Sequence, residues 1–388
     1  MNFDYSEEQR ILRDLCGKIA SDFDDDYWQG IDDDYRFPME YWNALRDQGL
    51  LGLGLSEEFG GSGMGMLEMC IAAEALASCP EGGGEGGAMF VCGPVFGGYL
   101  IAGAGTQQQK EKYLPAIVNG DIWAGAFTEP GAGSNITQIT TEATDCGDHY
   151  KIKGQKVFIS NVANAQHIAI MCRTSPYDAA KRTSGVSLMV ADLPSDKIEA
   201  RPFKKMGARF MDTNQVFIDS LEVPKENLVG AEGQGWKALY GVLNPERLAI
   251  AAGSVGTGLY LINKAVKYAE ERSVWGKPIA SHQGLQFPLA EAKIQLETAK
   301  LKTFEAAWLY DQRRECGVES AMAKYAAAKA SLFAADRAIQ TLGGAGYISE
   351  SGVERHWRNL RLNRIAPVTD EMTLNYIAQH DLGMPRSY

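Results

Sequence analysis

The 388-residue chain has few of the patterns from which metal centres and disulfide frameworks are built. Its five histidines are scattered and form no H-E-x-x-H motif, and its seven cysteines are odd in number and form no C-x-x-C pair. Because zinc ligands usually come in such closely spaced pairs, we expect no metal site. Disulfide frameworks need paired cysteines and an oxidising compartment. The sequence therefore favours reduced cysteines and a cytoplasmic location.

Excess positive charge and long apolar runs are also missing. The formal net charge is −11, which argues against non-specific binding to nucleic acid, although one local basic patch would suffice for a phosphate-bearing ligand. No run of eighteen uninterrupted apolar residues occurs, so no membrane-spanning helix is expected. The first residues are acidic and include no apolar segment, which argues against a secretion signal.

Common nucleotide-binding and hydrolase motifs have little support. Gly82, Gly84 and Gly87 formally satisfy G-x-G-x-x-G, but the preceding residues 72–78 have a helical pattern where a Rossmann motif requires a strand. We expect a flexible loop there. Neither G-x-x-x-x-G-K-[ST] nor G-x-S-x-G occurs, so a P-loop and a serine-hydrolase elbow are not supported.

Helical periodicity dominates residues 1–120. The first helix is expected to begin at Ser6 and to carry Ile11, Leu12, Leu15 and Ile19 on one stripe. Further helices are predicted over residues 39–48, 66–78 and 107–118. We therefore expect an N-terminal α-helical domain over residues 1–120.

The pattern then changes to short β-branched runs separated by turns, which is typical of a β-sandwich or barrel. A central β domain is expected over residues 121–232, and a C-terminal four-helix bundle with alanine-rich helix contacts over residues 233–388. The chain is thus predicted to be an α+β multidomain protein. The predicted strands span residues 150–152, 156–160, 167–173, 185–192, 198–202 and 215–223, and the long C-terminal helices 245–272, 283–313, 318–342 and 370–381.

Two short segments in the β region could form a ligand site. Thr128–Asn135 (T-E-P-G-A-G-S-N) is predicted to make a tight exposed turn with hydroxyls at Thr128 and Ser134, although the residues alone slightly favour an ordinary connecting loop. Lys156–Asn161 reads as a strand with Phe158 and Ser160 on one face. An aromatic ring beside a hydroxyl is a plausible wall for a flat heterocycle, and a half-buried strand is the alternative.

These two segments lie about 30 residues apart and resemble the paired flavin-binding signatures of the acyl-CoA dehydrogenase family. The resemblance continues to the end of the chain, through Asn244–Leu248, Glu271–Pro278, Gln340–Tyr347 and Arg361–Gly383. It implies FAD as cofactor, an acyl-CoA substrate, dehydrogenation to the trans-2-enoyl-CoA, an electron-transferring flavoprotein as electron acceptor, and a homotetramer built as a dimer of dimers.

The resemblance also assigns site residues. Ser134 is expected where FAD and CoA meet, and the Ser160 hydroxyl is expected to face flavin N5. Phe158 and Ser160 stand where Trp and Thr are more usual, and Asn135 stands where Asp is more usual. Arg272 resembles a residue that reaches the FAD pyrophosphate of a neighbouring subunit, although a solvated charge at a helix end is the alternative. The expected FAD contacts are Phe127, Thr128, Ser134, Phe158, Ser160, Arg272, Trp275, Gln340, Gly344, Thr369 and Glu371.

The catalytic base is expected at an unusual position. Many family members carry it as Glu near the C-terminus, where this chain has Pro367, which cannot act as a base. The segment Asn244-Pro245-Glu246-Arg247 resembles the isovaleryl-CoA and long-chain-like enzymes, which implies Glu246 as base. Locally, Asn244 is expected to cap a helix that has Pro245 at its first position.

Alternatives remain for each of these residues. Glu246 could simply be a favourable acid in a first helical turn, and Asp370 is the second candidate for the base. Asn244, Arg247 and Ser134 resemble CoA-facing positions, although Arg247 could instead pair with a nearby acid. For the whole chain, the alternatives are an enoyl-CoA reductase, a flavin- or acyl-CoA-binding protein without dehydrogenase activity, and, more weakly, an oxidase or monooxygenase.

Overall fold

The computed structural model describes residues 4–387, and its N-terminal part is helical as predicted. Ser6 and Thr106 each cap a helix in a reciprocal capping box, which fixes where these helices begin. Two helices were not predicted: Asp25–Asp34, which buries Trp28 and Ile31, and the short helix Leu100–Ala104. The helices are α1 Glu7–Ser21, α2 Asp25–Asp34, α3 Met39–Asp47, α4 Met66–Ser78, α5 Leu100–Ala104 and α6 Gln107–Val118.

Two expectations for this part were wrong. Ile11 does not belong to the buried stripe of α1, because it is 62% exposed. The glycine-rich segment is not a flexible loop: a Cβ added at Gly84 would lie 2.1 Å from the His356 ring, and one at Gly86 only 1.9 Å from the Tyr41 hydroxyl. Glycine is therefore needed there for close packing.

The following segment, Gly86–Ala104, is a 3₁₀ turn, a π-helical turn and α5 in succession. Its 19 residues are apolar enough in length and composition to cross a membrane, with a mean hydropathy of 1.5. However, 67% of the segment is buried inside the protein, as in the core helix of a folded domain, so it is weak evidence for a membrane span.

The central part is one eight-stranded sheet. The strands are β1 Trp123–Ala126, β2 Glu142–Asp145, β3 His149–Ser160, β4 His167–Arg173, β5 Val186–Asp192, β6 Ile198–Pro202, β7 Thr213–Pro224 and β8 Leu228–Val229. Their order is β6-β7-β3-β2-β4-β5-β8, and β1 pairs in parallel with β4. The long strands β3 and β7 pair along their whole lengths, with register shifts between Ile152 and Gly154 and between Val157 and Ile159.

The C-terminal part is again helical, which confirms the predicted fold class. The domain boundaries at 120 and 232 stay predictions. After α7 comes a small hairpin, β9 Ser273–Val274 and β10 Lys277–Pro278. The helices are α7 Gly235–Glu271, α8 Gln283–Asp311, α9 Gly317–Leu342, α10 Gly344–Tyr347, α11 Val353–Leu362 and α12 Asp370–His380.

Helix α7 begins ten residues earlier than predicted. Asn244 is not its N-cap, Pro245 is not its first residue and Glu246 is not in its first turn, so these three local predictions were wrong. Proline removes one backbone hydrogen bond from a helix interior. Tertiary packing offsets that loss, because the extra turns before Pro245 bury apolar residues that include Trp236 and Leu239.

Helices α7 and α9 run parallel at close distance. Asn244 near the start of α7 contacts Cys316, which precedes α9, and Gly258 lies opposite Ser331 further along both helices. A Cβ at Gly258 would lie 2.5 Å from a Leu296 methyl carbon and 3.3 Å from the Ser331 Cα. This pairing places Glu246 of α7 beside the first turns of α9.

Candidate active site

The turn that follows β1 is joined to the middle of β3. Thr128 donates its hydroxyl proton to the Val157 carbonyl at 2.5 Å, and the Val157 amide donates to the Thr128 carbonyl at 3.0 Å. The two segments that carry the expected flavin contacts are therefore neighbours in space. Because a hydroxyl has one proton, the Thr128 oxygen remains available here only as an acceptor.

Phe158 projects from an irregular point of β3. Its φ is 60°, and it stands at the register shift between Val157 and Ile159. The ring is 68% exposed, and Ser160, two residues later, is half-buried. Their placement on one face of the strand stays a prediction, because the bulge interrupts the regular alternation of side chains. The sequence pattern, taken as regular alternation along the strand, did not predict this bulge. A bulge changes the direction of the side chain locally, which is how the Phe158 ring comes to be exposed.

A buried ion pair supports this turn from beneath. Lys156 is fully buried; its ammonium donates to the Glu129 carboxylate at 2.9 Å and to the Phe127 carbonyl at 3.1 Å. Glu129 also accepts hydrogen bonds from the backbone N–H groups of Thr140 and Thr141. Burial raises the pKa of Glu129, but the Lys156 charge and these hydrogen bonds outweigh it and lower the pKa to about 2.

Neither member of this pair was among the predicted site residues. The sequence nevertheless offered a signal for the pair, the position of Lys156 inside a strand. A lysine that is buried in a sheet needs a partner of opposite charge. At the open end of the same turn, Ser134 and Asn135 are exposed, and Asn135 accepts a hydrogen bond of 2.7 Å from the Thr137 hydroxyl.

Glu246 lies inside α7, about three turns after the helix begins at Gly235. The residue as a whole is half-buried, but its carboxyl group is surrounded by protein. Burial raises the pKa of Glu246 to about 7, against the opposing charges of Arg247 and Lys324. The helix-start alternative therefore fails, because the first turn of α7 lies ten residues away. A carboxyl group with a pKa near neutrality suits a general base.

The other two positions considered for the base differ from Glu246. Pro367 lies between α11 and α12 and has no ionisable group. Asp370 is 3% exposed, and its carboxylate accepts a hydrogen bond of 2.6 Å from the Arg364 guanidinium. The Asp370 carboxylate is thus engaged in an ion pair, whereas that of Glu246 has no ion-pair partner within 4 Å among residues 4–387.

A cavity of about 960 Å³ opens beside α7. Asn244 lines it, together with Tyr99 and with Tyr376 of α12. Arg247 forms no ion pair with an acid among residues 4–387; it donates to the Asn244 amide oxygen at 3.2 Å, and its guanidinium lies 5.8 Å from the centre of the Tyr376 ring. Of the substrate positions predicted, Asn244 and Arg247 are thus together, one turn or less from Glu246.

The cavity and the flavin segments are connected through one helical turn. Phe127 packs edge-on against Phe96 at 6.1 Å, and Phe96 belongs to the same turn, Pro94–Tyr99, as the cavity residue Tyr99. The expected flavin wall and the expected base are therefore parts of one region of the fold.

Four of the predicted FAD contacts lie far from Glu246, at the other end of the helical bundle. Arg272 ends α7, which places it about 39 Å from Glu246 at 1.5 Å per residue. Because α7 and α9 are parallel, Gln340 and Gly344 lie at the same distant end of the bundle. Trp275, in the hairpin there, is 88% exposed. Thr369 and Glu371 begin α12 instead, where the Thr369 hydroxyl accepts the Met372 backbone N–H at 3.3 Å.

Three family models together match nearly the whole chain: the acyl-CoA dehydrogenase N-terminal domain over residues 6–121, the middle domain over 124–221 and the C-terminal domain over 233–382. Acyl-CoA dehydrogenase FadE12 of Mycobacterium tuberculosis (strain ATCC 25618 / H37Rv) is 39% identical, covering 100% of this chain and 99% of that protein. The chain belongs to the acyl-CoA dehydrogenase family. It is therefore an oxidoreductase of an FAD-dependent family.

Two further family members are informative. The caffeyl-CoA reductase–Etf complex subunit CarC of Acetobacterium woodii is 32% identical, covering 95% of this chain and 96% of that protein. The solved structure of a glutaryl-coenzyme A dehydrogenase in complex with glutaryl-CoA superposes with a TM-score of 0.94 and 30% identity, covering 100% of this chain and 98% of that one.

The residues present fit the family's cofactor. At the near end, Phe127 and Phe158 offer aromatic faces, and the neighbouring Thr128 and Ser160 offer hydroxyl groups. At the far end, a Cβ added at Gly343 or Gly344 would meet no atom within 4 Å, so this backbone is open to a phosphate-bearing ligand. Among residues 4–387, no group of three or more His, Cys, Asp or Glu residues could hold a metal ion.

Proposed function

We propose that the protein oxidises a saturated acyl-CoA thioester to the trans-2-enoyl-CoA, with Glu246 as the catalytic base. The observation that carries the proposal is the Glu246 carboxyl group, whose pKa is raised to about 7 by burial, one turn or less from the cavity residue Asn244. Neither Pro367 nor the ion-paired Asp370 offers an equivalent base.

In this proposal, the substrate lies with its thioester between Glu246 and the segment Phe127–Thr128. The ionised Glu246 removes a proton from the carbon next to the thioester carbonyl. FAD, when bound, supplies the hydride acceptor for the adjacent carbon. Asn244 and Arg247 hold the CoA part of the thioester at the cavity, and Ser134 contributes from the β1–β2 turn.

The FAD contacts proposed for one chain are of two kinds. The near residues shape the flavin pocket, with Phe127 and Phe158 as aromatic walls, and Thr369 and Glu371 contact the adenosine part. The distant residues bind the FAD of a neighbouring subunit, since about 39 Å of helix separates Arg272 from Glu246. The near set is Phe127, Thr128, Ser134, Phe158, Ser160, Thr369 and Glu371; the distant set is Arg272, Trp275, Gln340 and Gly344.

A site shared between subunits requires an oligomer, and we propose a homotetramer. Helix α8 carries large exposed apolar side chains every seven residues, which places them on one face of the helix. Unpartnered apolar faces of this kind mark protein contacts. They are Phe287 at 63%, Ile294 at 67%, Leu301 at 56% and Trp308 at 46% exposure.

Leu301→Glu is expected to split the assembly. A charge in the middle of this face would be buried without a partner on association, at a cost of several kcal/mol. Light scattering should give a mass of four chains for the wild type and a smaller mass for the variant, with FAD lost as the shared sites separate. Ile11→Glu, at an equally exposed position of α1, is the control and should remain tetrameric. A monomeric wild type that retains FAD would contradict the shared site.

We further propose an electron-transferring flavoprotein as electron acceptor, fatty-acid β-oxidation as the pathway and the cytoplasm as the location. The acceptor is supported by the relative CarC, which is a subunit of a caffeyl-CoA reductase–Etf complex. The location is supported by the seven free cysteines, because unpaired thiols are typical of a reducing compartment; six of the seven are buried.

The similarity to CarC, a caffeyl-CoA reductase subunit, also favours a second candidate function, an enoyl-CoA reductase that runs the same chemistry backwards. An anaerobic scan of straight, branched and cyclic acyl-CoAs against the FAD-loaded enzyme separates the two. Dehydrogenation predicts that at least one saturated thioester bleaches the flavin absorbance and yields its enoyl-CoA. A protein that binds these thioesters without bleaching, yet whose reduced flavin is reoxidised by enoyl-CoAs, would be a reductase. Binding without either change would leave only a binding protein.

A further inference from the structure

The alanine-rich first half of α9 buries a lysine. Lys324 is 1% exposed, and its ammonium group donates a hydrogen bond of 2.7 Å to the Val368 carbonyl. An ammonium group has three donors and no acceptor, and its burial is costly unless charges or hydrogen bonds compensate. Methionine or leucine would fill such a position at lower cost. A buried ammonium group next to the proposed base therefore calls for a role.

The Val368 carbonyl belongs to residues 365–369, the segment between α11 and α12. Pro367 stands in this segment, and the left-handed φ of 70° at Val368 turns the chain there. Thr369 then caps α12. Lys324 thus fastens α9 to the segment that precedes α12, and it does so in the layer of the bundle that holds Glu246.

Charged groups from three parts of the chain surround Lys324. Glu246 and Arg247 project from α7, Asp370 begins α12, and Arg364 lies just after α11. Asp370 is already paired with Arg364 at 2.6 Å. Arg247 is held by the Asn244 amide oxygen and lies over the Tyr376 ring. Glu246 is thus the nearby carboxylate that has no ion-pair partner within 4 Å among residues 4–387, and Lys324 is within electrostatic range of it.

We propose that Lys324 is a positioning residue for the dehydrogenation proposed above, on which this inference rests: its ammonium group fixes residues 365–369, and its positive charge acts with that of Arg247 to favour the ionised form of the Glu246 carboxylate. Burial lowers the pKa of Lys324 to about 8, against the opposing influence of Asp370, so the ammonium form still predominates at pH 7. In that form it favours the ionised carboxylate, the form that accepts a proton.

The test is the pH profile of flavin reduction in a single turnover with acyl-CoA. In the wild type, the rate should rise with pH through the Glu246 pKa of about 7, because only the ionised carboxylate is a base. Lys324→Met should move this rise upward by about one pH unit, which lowers the rate about tenfold at pH 6 but little at pH 9. Lys324→Arg, which keeps the charge, should retain the wild-type profile more closely. Lys329→Met, at an exposed position of the same helix, is the matched control.

A uniform loss of rate at every pH in Lys324→Met would mean a purely structural role and would overturn the inference. Replacement of a buried charge by an apolar side chain is often tolerated, and Lys324→Gln serves if the methionine variant does not fold. Infrared titration of the Glu246 carboxyl group, identified by its loss in Glu246→Gln, measures the coupling without activity. A shifted carboxyl pKa with an unshifted rate profile would leave the Lys324–Glu246 coupling intact and refute Glu246 as base. An unshifted carboxyl pKa would refute the coupling itself.

Discussion

Glu246→Gln is expected to bind FAD and acyl-CoA as the wild type does. Its flavin should be reduced by the substrate about 10²- to 10⁴-fold more slowly. A positioned general base contributes a factor of about this size to a proton transfer. Glutamine keeps the shape of the side chain and removes only its basicity. Stopped-flow flavin absorbance gives the rate, and equilibrium titration of the flavin spectrum gives the affinity.

The stability of this variant distinguishes a lost base from a damaged fold. The pKa of Glu246 in the folded protein is about 7, above its ordinary value of 4.5. The ionised carboxyl group therefore destabilises the folded state at any pH above about 4.5. The penalty grows as pH rises from about 4.5 and is complete above about 7. Glu246→Gln should therefore be more stable than the wild type at pH 8, by up to about 3 kcal/mol. Reduced stability would point to misfolding as the cause of lost activity.

Lys156→Met is expected to be among the most damaging single changes in the central sheet. It leaves the buried Glu129 carboxylate without its partner, and breaking a buried ion pair in this way costs about 3–5 kcal/mol. Because Lys156 also holds the Phe127 carbonyl, the Phe127–Thr128 turn should lose its shape and FAD should be lost. Thermal unfolding and the flavin content of the purified protein measure the two effects.

Two comparisons make this prediction specific. Lys153→Met removes a lysine from the same strand whose side chain is 76% exposed, and it should change neither stability nor flavin content appreciably. The double variant Lys156→Met with Glu129→Gln should recover part of the lost stability, because no uncompensated charge remains buried. If Lys156→Met retains FAD and unfolds as the wild type does, the ion pair does not support the flavin turn.

The sequence predicted the α–β–α order because each part has its own period, near 3.6 residues in the helices and near 2 in the strands. It failed where tertiary packing overrides a local signal. Asn244 and Pro245 form a good helix start, yet α7 runs through them because the preceding turns bury Trp236 and Leu239. The glycine-rich segment 82–87 looked flexible, yet its glycines allow contact with the Tyr41 and His356 side chains, which are distant in sequence.

The candidate site was predictable to the extent that it depends on residue types. Phe158, Ser160 and Glu246 could be named from motifs, but the bulge at Phe158 and the raised pKa of Glu246 depend on neighbours from other elements. Lys156 and Lys324 were missed because each has a partner far away in sequence. In both cases the informative signal was a lysine on an apolar face: Lys156 alternates in phase with Tyr150 and Ile152, and Lys324 lies among alanines.

The most direct test of the central claim compares three FAD-loaded proteins with one acyl-CoA under anaerobic rapid mixing: the wild type, Glu246→Gln and Asp370→Asn. We expect the flavin of the wild type to bleach, that of Asp370→Asn to bleach at a comparable rate, and that of Glu246→Gln to remain oxidised on the same timescale. Wild-type bleaching in Glu246→Gln, together with its loss in Asp370→Asn, would contradict the account and place the base at the start of α12.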